Sequence, residues 1–80
     1  MGSKQLPQES GKQLTKVFES FGWEVHRGGR NHFVLTHPEK SPFLNISIPD
    51  HKKVDRYLLR AQIKKARLTE EQFLDVYDRL

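Results

Sequence analysis

The chain contains no cysteine. That excludes a disulfide framework and any zinc site built on thiolates. It also lacks a long apolar run, so no segment has the length that a bilayer-spanning helix requires. No charged-then-apolar leader opens it. Position 6 is Leu6 rather than Ser or Thr, so Met1-Gly2 does not read as a myristoylation signal. A Ser-His-Asp set, a phosphate-binding glycine loop and a paired-carboxylate motif are all missing, which leaves most enzyme classes without support. The expectation is a soluble cytoplasmic protein in a reducing compartment, with no membrane partner. Acidic residues are also scarce: 10 Asp and Glu stand against 14 Lys and Arg, for a formal net charge of +4. With a pI near 9.6, the chain suits polyanions, either nucleic acid or an acidic protein, although the same charge also serves solubility. Eighty residues allow one domain and a small core.

What is present centres on residues 27–38, RGGRNHFVLTHP. A glycine pair between Arg27 and Arg30 allows a tight turn. The guanidiniums offer rigid forks of donors that fit phosphate. His32 then opens a strand-like apolar run and supplies an imidazole, a candidate proton carrier. Turn, phosphate grip and proton carrier therefore lie within six residues.

In chain order, residues 1–9 are polar and are expected to form a flexible tail, with one domain over residues 10–80. Ser10 is a candidate N-cap, and Leu14, Val17, Phe18 and Phe21 recur at helical spacing until Gly22 stops the helix. Alternation from Trp23 to Arg27, and again from Asn31 to Thr36, reads as a β-hairpin. Residues 38–42 hold two prolines and read as a turn. Phe43 to Ile48 reads as a third strand. A second helix is expected from about Asp55 to Ala66. Tyr57, Leu58, Ala61 and Leu68 mark one apolar stripe on it, Leu59, Ile63 and Ala66 an adjacent one, and Arg60, Lys64 and Arg67 an outer face. Thr69-Glu70-Glu71-Gln72 has the form of a capping box, starting a short third helix.

This order, α-β-β-β-α with a short C-terminal helix, predicts an α+β fold. It has a three-stranded antiparallel sheet with helices on one face, the architecture of double-stranded-RNA-binding domains. At the residue level the chain resembles the HicA (YcfA-like) mRNA interferase toxin family. The likeness rests on Gly11-Lys12-Gln13-Leu14, on Phe18-Glu19-Ser20-Phe21-Gly22-Trp23-Glu24-Val25 with Arg27, on His32 with His37-Pro38, and on residues 66–74, ARLTEEQFL. It spans about Gly11 to Leu74. Four places depart from the family pattern. Arg30-Asn31 replaces the usual Gly-Ser, and Phe33 replaces a frequent second histidine. Pro49-Asp50-His51-Lys52-Lys53 replaces a glycine-bearing loop, and Arg67 stands where glycine is usual.

The resemblance implies the double-stranded-RNA-binding-like fold and a metal-independent endoribonuclease that cleaves mRNA with one strand-borne histidine. A HicB-like antitoxin would cover that histidine. By position the histidine is His32. The chemistry is feasible without a cofactor, because RNA brings its own nucleophile, the ribose 2′-OH. One imidazole as general acid or base, with cations to stabilise the phosphorane, supplies what is needed. Lys12, Lys16, Arg27 and Arg30 are the candidate phosphate-binding residues. His26, His37 and His51 do not add up to a metal site: His32 and His37 point to opposite faces of a strand, and His37 before Pro38 is expected to anchor the turn. Two other readings of the residues stand beside the nuclease: a non-catalytic RNA-binding module of the same fold, and a protein-interaction domain.

Overall fold

Ser10 starts the first helix. Its hydroxyl accepts the Gln13 N–H, and α1 runs Gly11–Glu19. In the computed structural model, which describes residues 5–40 and 44–80, the remaining elements follow in the expected order. They are β1 (Glu24–Arg27), β2 (His32–Thr36), β3 (Ile46–Pro49), α2 (Arg56–Lys65) and α3 (Glu70–Tyr77). The strands form one antiparallel meander in the order β1-β2-β3. Val25 pairs with Leu35, and Phe33 pairs with Ile48. The fold is thus α-β-β-β-α-α, consistent with the double-stranded-RNA-binding-domain type.

The alternation in each strand decides the layering. Phe33, Leu35, Ile46 and Ile48 face inward and are buried, together with Leu14, Val17 and Phe18 of α1 and Leu59 and Ile63 of α2. Each such side chain contributes about 1.5–3 kcal/mol by leaving water. α1 crosses all three strands, α2 lies on β3, and α3 packs on α1 and α2. Phe18 and Phe73 lock α1 to α3, with ring centroids 5.1 Å apart. Glu24, His26, His32, Val34, Thr36 and Ser47 alternate onto the other face, where all are exposed or half-exposed. No described element covers that face.

Both long helices end by the same device. At the end of α1, Trp23 N–H reaches Phe18 C=O and Gly22 N–H reaches Glu19 C=O. At the end of α2, Leu68 N–H reaches Ile63 C=O and Arg67 N–H reaches Lys64 C=O. These are Schellman caps, which place their C′ residue in the left-handed region. Gly22 does so without cost at φ 94°, whereas Arg67 sits at φ 63° with a side chain. α3 begins with the expected reciprocal capping box between Thr69 and Gln72.

The sequence reading needs correction in three places. Residues 5–9 are not a loose tail. Leu6 is 1% exposed within the core, and its carbonyl accepts from Arg56 Nε at 2.6 Å. Glu9 accepts from Val54 N–H through its carbonyl and from the Tyr77 hydroxyl, at 2.7 Å, through its carboxylate. A single leucine in a polar stretch was enough to anchor it, while residues 1–4 lie outside the described residues. Second, β3 begins at Ile46, and Phe43, the expected start, falls outside the described residues together with Ser41 and Pro42. Third, the buried arc of α2 is narrower than expected: Leu59, Ile63 and Ala66 are buried, but Tyr57 is 78% exposed and Ala61 is exposed. The outer face also differs, because Arg60 pairs with Glu70 at 3.1 Å.

Replacing Arg67 by glycine removes the left-handed strain, which costs about 1 kcal/mol at a residue with a Cβ. Arg67→Gly is therefore expected to raise the unfolding free energy by up to that amount in urea titrations, with an unchanged m-value. The Glu9–Tyr77 contact sets a pH dependence. The Ser10 amide, then the Tyr77 hydroxyl, hold the Glu9 carboxyl below its usual range. The hydrogen bond to Glu9 in turn pushes the Tyr77 phenol above its own. The contact therefore stabilises the fold between the two ordinary values. It is lost as pH falls through the lowered Glu9 pKa, or rises through the raised Tyr77 pKa. Tyr77→Phe is expected to cost about 1 kcal/mol near pH 7. The difference should shrink as pH falls below the ordinary Glu value of about 4.3 and be gone once the lowered Glu9 pKa has been passed, as read by denaturant melts across that range.

Candidate active site

The hairpin mouth is built by two strand ends and two connections. β2 opens with His32, which lies opposite Pro49, the last residue of β3. The turn between β1 and β2 closes with Gly28 N–H on His32 C=O. The connection after β3 is stitched to that turn by Asp50 N–H on Asn31 C=O at 2.7 Å. It is stitched to α1 by Gly11 N–H on His51 C=O at 2.9 Å. Gly11 is indispensable to this approach, because a Cβ there would lie 2.0 Å from the Pro49 carbonyl oxygen.

His32 projects onto the uncovered face and is exposed. No hydrogen bond or ion pair engages its imidazole among the described residues. Arg30, in the turn beside it, is exposed and carries a side chain with no partner among the described residues. His51, Lys52 and Lys53 are exposed in the connection stitched to that turn.

Arg27 takes a different position from the other candidates. It lies on the inner side of the strand end, with its guanidinium carbon 4.7 Å from the Phe33 ring centroid. Its Nη1 donates to Asp50 Oδ2 at 2.9 Å. A cation held over an aromatic face and paired with a carboxylate is a brace for the hairpin mouth. With its side chain 51% exposed, it keeps a solvent-facing edge. Lys12 follows Gly11 and stands at the same end of the sheet on the helix side. Lys16 lies one turn further along α1, and both are exposed. The structure therefore brings His32 and Arg30 together, sets Lys12 and Arg27 around the rim, and carries Lys16 away.

The other histidines separate cleanly. His26 Nε2 meets Thr36 Oγ1 at 2.9 Å on the open face. His37 is 8% exposed. Its Nδ1 accepts the Glu39 N–H at 3.1 Å, which leaves the proton on Nε2, 3.3 Å from the Phe21 carbonyl oxygen. Its ring stands edge-on to Trp23 at 5.2 Å. His37 thus fastens the chain after β2 to the end of α1, the anchoring role expected of it. A Cβ at position 22 would come within 2.9 Å of its Nε2, so Gly22 serves both the helix cap and this contact.

The candidates named from sequence omitted the His51-Lys52-Lys53 loop, which was noted only as a departure from the family's glycine-bearing loop. A signal for it existed. In a meander, the residues that leave β3 must land beside those that enter β2.

A helix, an antiparallel meander and a closing pair of helices, with the exposed His32 imidazole and several cations at one end of an open sheet, define a small α+β domain. Residues 11–68 match the family model for the HicA toxin of bacterial toxin–antitoxin systems. The chain belongs to this family, whose members are the toxin partners of an antitoxin; α3 lies beyond the matched segment. A comparison with curated proteins finds no match. Among the described residues no helix is long and apolar enough to cross a membrane.

The two arginines of the turn are expected to separate in stability measurements. Arg27→Lys keeps the charge but loses the planar stack and the fork, and should cost about 1 kcal/mol. Arg30→Lys should leave the thermal midpoint unchanged. Equal effects would show that Arg27 is not a brace.

Proposed function

We propose that this toxin is a metal-independent endoribonuclease that cuts mRNA in the cytoplasm, with His32 as the catalytic residue. The observation that carries the reading is the state of His32. It is an exposed imidazole on the open face, free of side-chain partners among the described residues, at the most cationic end of the sheet. Neither ring nitrogen is committed to a partner among the described residues, so either can exchange a proton with substrate. In the reaction the ribose 2′ oxygen forms a bond to the adjacent phosphorus, and the bond from phosphorus to the 5′ oxygen breaks. His32 takes the 2′ proton or delivers one to the leaving oxygen. Arg30 and Lys12 hold the phosphate, with the outward edge of Arg27, and offset the charge that builds on its oxygens. Lys16 extends the grip along the RNA backbone. The products are a 2′,3′-cyclic phosphate and a free 5′ hydroxyl.

The antitoxin, a HicB-like protein, neutralises the chain by covering His32. The open face suits this, because nothing within the described chain must move for a partner to reach it. The other reading, RNA binding without cleavage, is favoured by one observation: no second acid or base among the described residues is hydrogen-bonded to His32.

Cleavage of a long single-stranded RNA, followed in the presence of EDTA, decides between them. His32→Ala is expected to lower the rate by about 10²–10⁴-fold, the usual contribution of a positioned general acid or base. Equal rates for the variant and the parent would remove His32 from catalysis. RNA binding without cleavage by either chain would establish the second reading.

A further inference from the structure

Tyr57 has no packing role, yet it is the most exposed large hydrophobic residue described. It is 78% exposed, and Leu80 at the last position follows at 56%. It sits in the first turn of α2 with one ring face toward solvent. The Arg60 guanidinium carbon lies 5.9 Å from its centroid. Beside it is an open groove of about 330 Å³, lined by Gln5, Gln8, Asp55, Arg56, Tyr57 and Arg60. That volume falls at the small end of ligand sites. The groove exists because Leu6 is buried and holds Gln5 and Gln8 against the start of α2.

We propose that this groove is a second binding site for single-stranded RNA, in which one unpaired base stacks on Tyr57 and its edge meets the amides of Gln5 and Gln8. The inference rests on the reading of this toxin as an RNA-acting protein and adds a place where the strand is held away from His32. Three observations select the ligand. First, Lys52 and Lys53 before α2 and Lys64 and Lys65 at its end are exposed and have no ion-pair partner among the described residues, so the approaches to the groove favour a polyanion. Second, the two cations in the groove are already engaged: Arg56 with the Leu6 carbonyl and Arg60 with Glu70. An acidic peptide, which depends on free cations, gains little there. A base, which depends on a ring face and on groups that both donate and accept, gains more. Third, bases in a duplex stack on one another and cannot be reached by a ring on a helix surface, so the strand must be single.

Continuity with the first site comes from the chain itself. Lys52 and Lys53 are exposed in the connection that leaves the His32 end, and Asp55, two residues on, caps α2 and lines the groove. This connection therefore links the two sites, and a strand held at both would follow it. Backbone phosphates meet the lysines, and one base turns in onto the ring. Stacking of this kind tolerates any base, so the site adds affinity without dictating sequence.

The test uses the full chain with His32 intact and a fluorescein-labelled 12-nucleotide single strand whose riboses are 2′-O-methylated. That strand lacks the nucleophile and stays whole. Binding is read by anisotropy at about 0.1 M salt. Tyr57→Ala should weaken binding about tenfold, within the range that base–aromatic stacking supplies. Tyr57→Phe, which keeps the ring, should stay within about twofold. The salt dependence should be the same for all three chains, because no phosphate contact is removed. Circular dichroism checks that the exposed substitutions leave the fold intact. Unchanged affinity for Tyr57→Ala overturns the proposal, as does an equal loss for Tyr57→Phe, or a Tyr57→Ala effect that appears only in binding to the antitoxin. Cleavage that survives while Tyr57→Ala binds normally defeats this site alone. Failure of the parent chain to bind the strand or to cut RNA defeats the proposed function as well.

Discussion

The position of α1 governs the rest of the structure, and it is pinned at both ends by backbone contacts that only certain residues permit. At its start, Gly11 brings the helix against the Pro49 carbonyl and bonds to His51. At its end, the Phe21 carbonyl meets buried His37, which stands too close to position 22 for any residue but glycine. With both ends fixed, the helix crosses all three strands. Leu14, Val17 and Phe18 are then committed to the inner face. The outer face is left open as a consequence of where the helix is held. The availability of His32 follows from that geometry.

The same pinning explains why charge near the hairpin mouth divides into two kinds. Arg27 is drawn inward because β1 ends directly over Phe33, and Asp50 is delivered to it by the connection stitched at Asn31. Arg30, one turn away, has no such neighbour. Two arginines that flank a glycine pair look equivalent in sequence, yet one braces the mouth and the other keeps an exposed side chain with no partner among the described residues. Of the two acidic residues in that connection, Asp50 pairs with Arg27 and Asp55 caps α2. That leaves the charge of Arg30, Lys52 and Lys53 without an ion-pair partner among the described residues.

Much of this was legible in the sequence wherever a residue acts through local chemistry. Ser10, Asp55 and Thr69 are N-caps because their side chains meet backbone groups three residues on. Gly22 ends α1 for a reason written in its lack of a Cβ. The separation of His32 from His37 followed from strand alternation alone. What was hidden depends on long-range partners. Leu6 looked stranded in a polar segment because the residues that receive it lie some fifty positions away, as its link to Arg56 shows. Tyr57 looked like part of an apolar stripe because helical spacing cannot tell which edge of the stripe the sheet covers. Arg67 departed from a glycine pattern, and only its φ of 63° shows what that glycine would have provided.

The clasp between Glu9 and Tyr77 spans almost the whole chain, its partners standing 68 positions apart. A ribosome delivers the polypeptide from its amino end, so Gln5 to Glu9 leave it before any of their partners. The Leu6 and Glu9 carbonyls can be engaged once Val54 and Arg56 are out, but the Glu9 carboxylate waits for Tyr77. The segment is therefore closed in two stages, its backbone first and its side-chain clasp second.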